Sequence, residues 1–206
     1  MAEVLLKIEE LTKSFGGLRA IQQLSMEVEA GEIHAVIGPN GAGKTTLIAQ
    51  LSGSLKPDSG IILFENREIT HVPEYRRSAL GLARSFQITS VLKNFSALDN
   101  VALAVQAHAG HSFRFWSKAR KAQELREPAL EILDKIGLTD RMDMPASSLS
   151  HGEQRQLELA MALATRPKLL LLDEPMAGMG VEESQKMVEL LLSLIHISEP
   201  TRPTPI

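Results

Sequence analysis

The chain has 206 residues, 44% of them hydrophobic, a formal net charge of −3 and no cysteine. Its length and apolar content suffice for one domain with a core of its own and room for an inserted subdomain. The acidic balance provides no general attraction for nucleic acid, and the missing thiols exclude disulfides, thiolate metal sites and cysteine nucleophiles together.

The histidines do not gather at ligand spacing: His108 and His111 have no carboxylate or third histidine beside them and read as a surface pair. No apolar run approaches the ~18 residues that span a bilayer, and the N-terminus carries no signal-peptide pattern. A soluble, cytosolic-type protein is expected.

Residues 5–10 and 21–28 alternate apolar and polar side chains, which predicts two half-buried strands in an antiparallel layer. Residues 32–37 are more continuously apolar, as a strand covered on both faces should be. They lead into Gly38-Pro39-Asn40-Gly41-Ala42-Gly43-Lys44-Thr45, which fits G-x-x-x-x-G-K-[ST], and a helical pattern begins near Lys44. Glycines at 38, 41 and 43 let the backbone turn its N–H groups inward toward phosphate oxygens at a helix N-terminus. Lys44 can reach the β- and γ-phosphates, and the Thr45 hydroxyl suits a hard cation such as Mg²⁺. A Gly-rich turn with a stray lysine would match by chance in about one chain in a hundred of this length.

Pro57-Asp58-Ser59-Gly60 is a turn signal, and residues 61–64 then read as a strand. Pro73 suits the first turn of a short helix ending near Gly81. From 97 to 136 the pattern is helical, with Pro128 placed to restart a helix and Gly137 to stop one. Phe113, Phe115 and Trp116 stand there beside Arg114, Lys118, Arg120 and Lys121, either as a local cluster with a solvated basic edge or as a docking surface.

Ser150 and Glu153 have capping-box spacing, and Leu157, Ala160, Met161 and Ala164 follow at helical period. Residues 168–172 read as a buried parallel strand ending in Asp173-Glu174-Pro175, at the end of such sheets where ligands bind. Residues 181–191 suit a helix packed on the sheet. Two carboxylates after a strand are either a solvated strand end or chemistry. Should this strand neighbour the one feeding the phosphate loop, Asp173 would hold the metal and Glu174 would polarise the attacking water.

With GPNGAGKTT, Gln87 in SFQ, LSHGEQRQLELA and LLLLDEP in that order, residues 4–191 resemble the ATP-binding subunit of an ABC transporter. The resemblance implies an α/β P-loop NTPase core with a mainly parallel sheet, an N-terminal antiparallel β layer and an inserted helical subdomain at about 88–150. It implies that Phe15 stacks on adenine, that Gly38 through Thr46 hold ATP, and that Thr45, Gln87 and Asp173 hold Mg²⁺. Lys44, Gln87 and Glu174 would be catalytic. Leu149 to Gln154 resembles the signature LSGGQ, with His151 and Glu153 in place of a glycine and a glutamine. Ser150 and Gly152 would meet the γ-phosphate of a second copy, with Glu153 folded back into the capping box. Gly180 stands where the family often has an aspartate.

GLARSFQ, LSHGEQRQLELAMALA and DEPMAGMGVEE look most like the ATPases of branched-chain amino-acid importers, and the related urea and lipopolysaccharide transport ATPases share much of this pattern. The partners so implied are a second ATPase subunit, integral membrane permease subunits and, indirectly, a periplasmic binding protein. Nucleic acid is not among them. The location implied is the cytoplasmic face of the inner membrane.

Residues 192–206 resemble the translation of a transposase-type sequencing adapter, so the native-like part is expected to end near Leu191, with a later strand and the switch histidine missing. His196 is not read as that histidine, because a proline-rich run cannot continue a central strand. One alternative is therefore a nucleotide-binding module with impaired turnover. A soluble ABC ATPase of DNA repair or translation is another; the lack of a coiled-coil insertion and of a second phosphate loop argues against it.

Overall fold

The computed structural model describes residues 3–84, 91–108 and 118–198. They fall into two compact units, one made of Met1–Glu74 with the segment from Ser184 onward, the other of Tyr75–Glu183.

In the first unit, β1 (Val4–Phe15) pairs antiparallel with β2 (Leu18–Glu29) on one side and with β3 (Ser59–Phe64) on the other, and β4 (Arg67–Glu68) closes the order β2-β1-β3-β4. The expected antiparallel layer is present, and its strands are longer than the alternation marked. The reason lies in β1. Leu6 and Ile8 are buried at even positions, but the next buried residue is Leu11. An irregularity in both ladders, with Glu10 at φ 48°, changes the parity and returns an apolar side chain to the core.

Gly60 makes this bulge possible. Its φ is +97°, and a Cβ there would stand 2.6 Å from Leu11 Cα and 2.7 Å from the Glu10 carbonyl. Asp58, in the turn before it, accepts from Lys13 Nζ and from the Ser14 N–H, each at 2.7 Å. Those two donors hold its carboxyl below the ordinary range. Helix α1 (Lys44–Ser52) touches β2 and buries Leu47 and Leu51.

The run 32–37 differs from its reading as a strand. It has no strand assignment, and Ile33, Val36 and Ile37 are 52%, 47% and 93% exposed. A parallel strand exists only within a ladder, because its N–H and C=O groups find their partners on neighbouring strands. Among the described residues no strand pairs with this run. Apolar content alone does not make it one.

The second unit starts with α2 (Glu74–Ala79), directly after Pro73, and β5 (Leu82–Arg84). β5 runs parallel to β6 (Leu169–Leu171), with Arg84 opposite Leu171. Among the described residues these two strands are the parallel part of the fold.

Helices α3 (Ala97–His108), α4 (Lys118–Ile136) and α5 (His151–Ala164) pack on one another through a core that includes Leu98, Val101, Leu133 and Leu157. Pro128 lies inside α4 and does not restart a helix. It removes one N–H from the ladder, and the buried Ala129, Leu133 and Ile136 hold the helix across that gap. Gly137 does stop it. At φ +77° its N–H donates to the Asp134 carbonyl, and the Leu138 N–H donates to that of Leu133 at 2.8 Å, which is a Schellman closure. The fully buried Asn100 pins the segment before α3, accepting from the Leu92 N–H at 2.8 Å and donating to the carbonyls of Leu92 and Ser96.

Helix α6 (Val181–Ser198) runs on past residue 191. The sequence before Pro200 contains no helix breaker, whatever its origin. The aromatic cluster at Phe113, Phe115 and Trp116 lies outside the described residues. Among those described, no helix is long and apolar enough to cross a membrane.

Replacing Gly60 by alanine combines a left-handed backbone with a collision against β1. The expected loss is about 2 kcal/mol or more of unfolding free energy by urea denaturation, whereas Gly137→Ala, with open space around the added Cβ, should lose only about 1 kcal/mol.

Candidate functional site

Residues expected at the site occur in both units. In the first, Gly41 and Gly43 adopt φ of +84° and +92°, and the Ala42 N–H closes a turn on the Pro39 carbonyl at 3.1 Å. Gly43 must be glycine twice over, since a Cβ there would also strike the Ala20 carbonyl on β2.

Gly43 is the N-cap of α1 and supplies no side-chain acceptor. No side chain caps this end of α1 and no acidic residue stands in its first turn, so the helix end favours negative charge from elsewhere. Lys44 Nζ bends back over the loop and donates to the carbonyls of Gly38 and Pro39 at 2.6 and 3.0 Å. Pro39, Asn40 and Thr45 are exposed, while Lys44 and Thr46 are half-buried.

Phe15 ends β1, pairs with Leu18, and is 49% exposed, with Lys13 Nζ 5.6 Å from its ring centroid. It is not a core phenylalanine. The strand that Gly43 leans on, β2, is the other arm of this hairpin, so an open aromatic face and the phosphate loop share one scaffold.

In the second unit, Asp173 and Glu174 follow β6 and part company at once. Asp173 is 4% exposed, whereas Glu174 is exposed and sits at φ 48°. A non-glycine residue in that region carries strain of about 1–2 kcal/mol, and here it points neighbouring carboxylates into different surroundings. Arg84, at the end of β5, brings a guanidinium Nη2 to 3.5 Å from Asp173 Oδ2. Its triplet, Leu-Ala-Arg, offered too short a strand signal to place it there. Parallel pairing of β5 with β6 does so.

Ser150 caps α5. Its Oγ accepts from the Glu153 N–H at 3.2 Å, and Glu153 Oε2 accepts from the Ser150 N–H at 2.8 Å. Glu153 is folded back as expected, and Arg141 Nε holds its other oxygen at 3.0 Å. The Ser150 N–H is the main cause that keeps its carboxyl below the ordinary range; burial opposes it, and the Arg141 guanidinium adds a smaller lowering effect. Further along α5, burial pushes the Glu158 carboxyl up despite Arg155 at 2.8 Å.

Gly152 is packed against Glu183: a Cβ would stand 2.8 Å from Glu183 Oε1. Glu183 itself folds back on α6, accepting from the Gly180 N–H at 3.2 Å. Gln87 lies outside the described residues. Among those described, no three histidine or carboxylate groups gather to hold a metal. A cation would have to be completed by ligand and water oxygens, which suits Mg²⁺. In the first unit the exposed Thr45 hydroxyl, and separately in the second the buried Asp173 carboxylate, are oxygen groups of the hardness Mg²⁺ prefers.

A family profile described as ABC transporter matches residues 21–177. The chain is 38% identical over 192 residues to the probable branched-chain amino acid transport ATP-binding protein LivG of Archaeoglobus fulgidus, covering 92% of this chain and 75% of that one. It is 35% identical to the high-affinity branched-chain amino acid transport ATP-binding protein BraF of Pseudomonas aeruginosa, covering 94% and 78%. A crystal structure of an ATP-binding cassette of an ABC transporter superposes with a TM-score of 0.82 at 32% identity, over 94% of this chain and 78% of that one.

The depressed Glu153 carboxyl fixes the sign of a pH effect. Its folded pKa lies below the unfolded value, so its contribution is complete above the ordinary glutamate pKa of ~4.3 and is lost as pH falls through the folded value. Urea denaturation should find Glu153→Ala about 1 kcal/mol less stable at pH 7, with that gap closing below about pH 4.

Proposed function

The chain belongs to the ABC transporter family as an ATP-binding subunit, and from that premise we propose that it holds MgATP on the loop at Gly38 through Thr46 and hydrolyses it to drive a membrane permease. The observation that carries this reading is the start of α1. Left-handed Gly43 opens a helix without a side-chain cap, and Lys44 arches over the same loop. Backbone donors and one cation are what a triphosphate requires.

In this reading the exposed ring of Phe15 stacks on adenine, Lys44 neutralises the β- and γ-phosphates, and Thr45 and Asp173 supply oxygen ligands to Mg²⁺. When bound, the metal would neutralise charge that develops on the phosphate oxygens. Glu174 accepts a proton from the water that attacks the γ-phosphorus, and the bond to the β–γ bridging oxygen breaks. Gln87 would contact Mg²⁺ or the attacking water and relay the nucleotide state to the helical part.

Ser150 and Gly152 would complete the site of a second copy. Two-fold pairing presents each phosphate loop to the partner's signature helix, so nucleotide acts as an adhesive between subunits until it is cleaved. The names of the Archaeoglobus and Pseudomonas relatives support branched-chain amino acids as the solute; in this reading the chain sits on the cytoplasmic face of the inner membrane, held there by the integral permease.

Two substitutions separate the roles. Lys44→Ala should abolish binding of a fluorescent ATP analogue. Glu174→Gln should bind it as wild type does and lose roughly 10²–10⁴-fold in turnover, as removal of a general base does. Phosphate release at the wild-type rate from Glu174→Gln rejects it as the base. A second reading, binding without turnover in this chain, is favoured by the unpaired run 32–37; tight nucleotide binding with no phosphate release from the unsubstituted chain would select it.

The transport reading has its own measurement. Co-expressed with a branched-chain amino-acid permease pair, the chain should co-purify in detergent, and its ATPase should rise when the cognate binding protein arrives loaded with leucine. No stimulation by loaded binding protein would remove the solute assignment.

A further inference from the structure

Arg84 is absent from every role above, yet its guanidinium faces the buried carboxylate to which the metal is assigned. Strand pairing puts it there. β5 and β6 run parallel with Arg84 opposite Leu171, and Asp173 follows two residues later, so both side chains emerge at the carboxyl end of the same strand pair. Arg84 Nη2 is 3.5 Å from Asp173 Oδ2, with side-chain exposures of 14% and 2%.

Burying an ionised carboxylate to that degree is costly unless a positive charge stands near it. Arginine keeps its charge at any working pH and spreads it over a rigid plane. A divalent cation arriving at Asp173 would find part of the attraction already satisfied and would meet a like charge beside it. The residue that orients the carboxylate thereby also sets how much metal is needed.

We infer that Arg84 is a positioning residue for the metal-binding carboxylate: a built-in counter-ion that holds Asp173 when no metal is bound and yields to Mg²⁺ when nucleotide brings it. The inference rests on the assignment of Asp173 as a metal ligand. It extends that assignment by naming the group that competes for the site.

The experiment measures binding of a fluorescent, non-hydrolysable ATP analogue to the full chain while free Mg²⁺ is titrated, with an EDTA control. In Arg84→Gln the Mg²⁺ concentration at half-effect should fall on the order of tenfold, as loss of a neighbouring charge of the metal's own sign typically requires, while binding in EDTA stays unchanged. Arg84→Lys, which retains a cation, should stay near wild type. Arg84→Met carries the same expectation as the glutamine variant and replaces it should that variant fail to fold. A half-effect concentration at or above the wild-type value in both neutral variants overturns the counter-ion role. Asp173→Asn separates the two readings: if it abolishes the Mg²⁺ dependence while neutral Arg84 variants show no fall, the counter-ion role alone is lost. Should it leave the dependence intact, the metal assignment fails and takes the inference with it.

Discussion

An α-helix that begins without a side-chain cap or an acidic first turn presents its positive end to an anion from elsewhere, and this condition at Lys44 is what the first unit is arranged around. The Ala20 carbonyl of β2 leaves no room for a side chain at left-handed Gly43, so β2 restricts the residue at which the helix starts. β2 is in turn held by β1, whose bulge at Glu10 requires Gly60 on β3. A chain of close backbone contacts thus runs from the sheet to the loop. A phosphate-binding loop needs such support, because its donors must be aimed before the ligand arrives.

The N-terminal ends of α1, α5 and α6 are not finished alike. α5 is closed by Ser150 and Glu153, and α6 has Glu183 turned back on Gly180. Each of those ends satisfies part of its own donor set with a local carboxylate. α1 has none. The difference separates a helix end that is finished internally from one offered to a ligand, and it follows from residue choice at the cap and three residues beyond it.

The acidic pair after β6 illustrates a second economy. Adjacent residues in an extended strand face opposite ways, but Glu174 adds a left-handed turn that leaves it exposed beside a buried Asp173. One carboxylate is placed among fixed charges and the other where a water molecule can reach it. Arg84 belongs to the buried side of that division, which is why its effect is expected on metal rather than on nucleotide.

Much of this was legible in the sequence because it is local. The phosphate loop, the capping box at Ser150 and the stop at Gly137 are each set by residues within a few positions of one another, where glycine's freedom and short side-chain hydrogen bonds decide the outcome. The antiparallel layer was legible through alternation, and the family through ordered motifs. The tertiary structure alone decided the rest. Whether residues 32–37 form a strand depends on a ladder partner distant in sequence, and Pro128 is tolerated because α4 is held by its buried face. The approach of Arg84 to Asp173 spans 89 positions and exists only because β5 and β6 are paired. Hydrogen bonds and charges that close over such separations leave no periodicity in the chain, so folding, and not pattern, creates them.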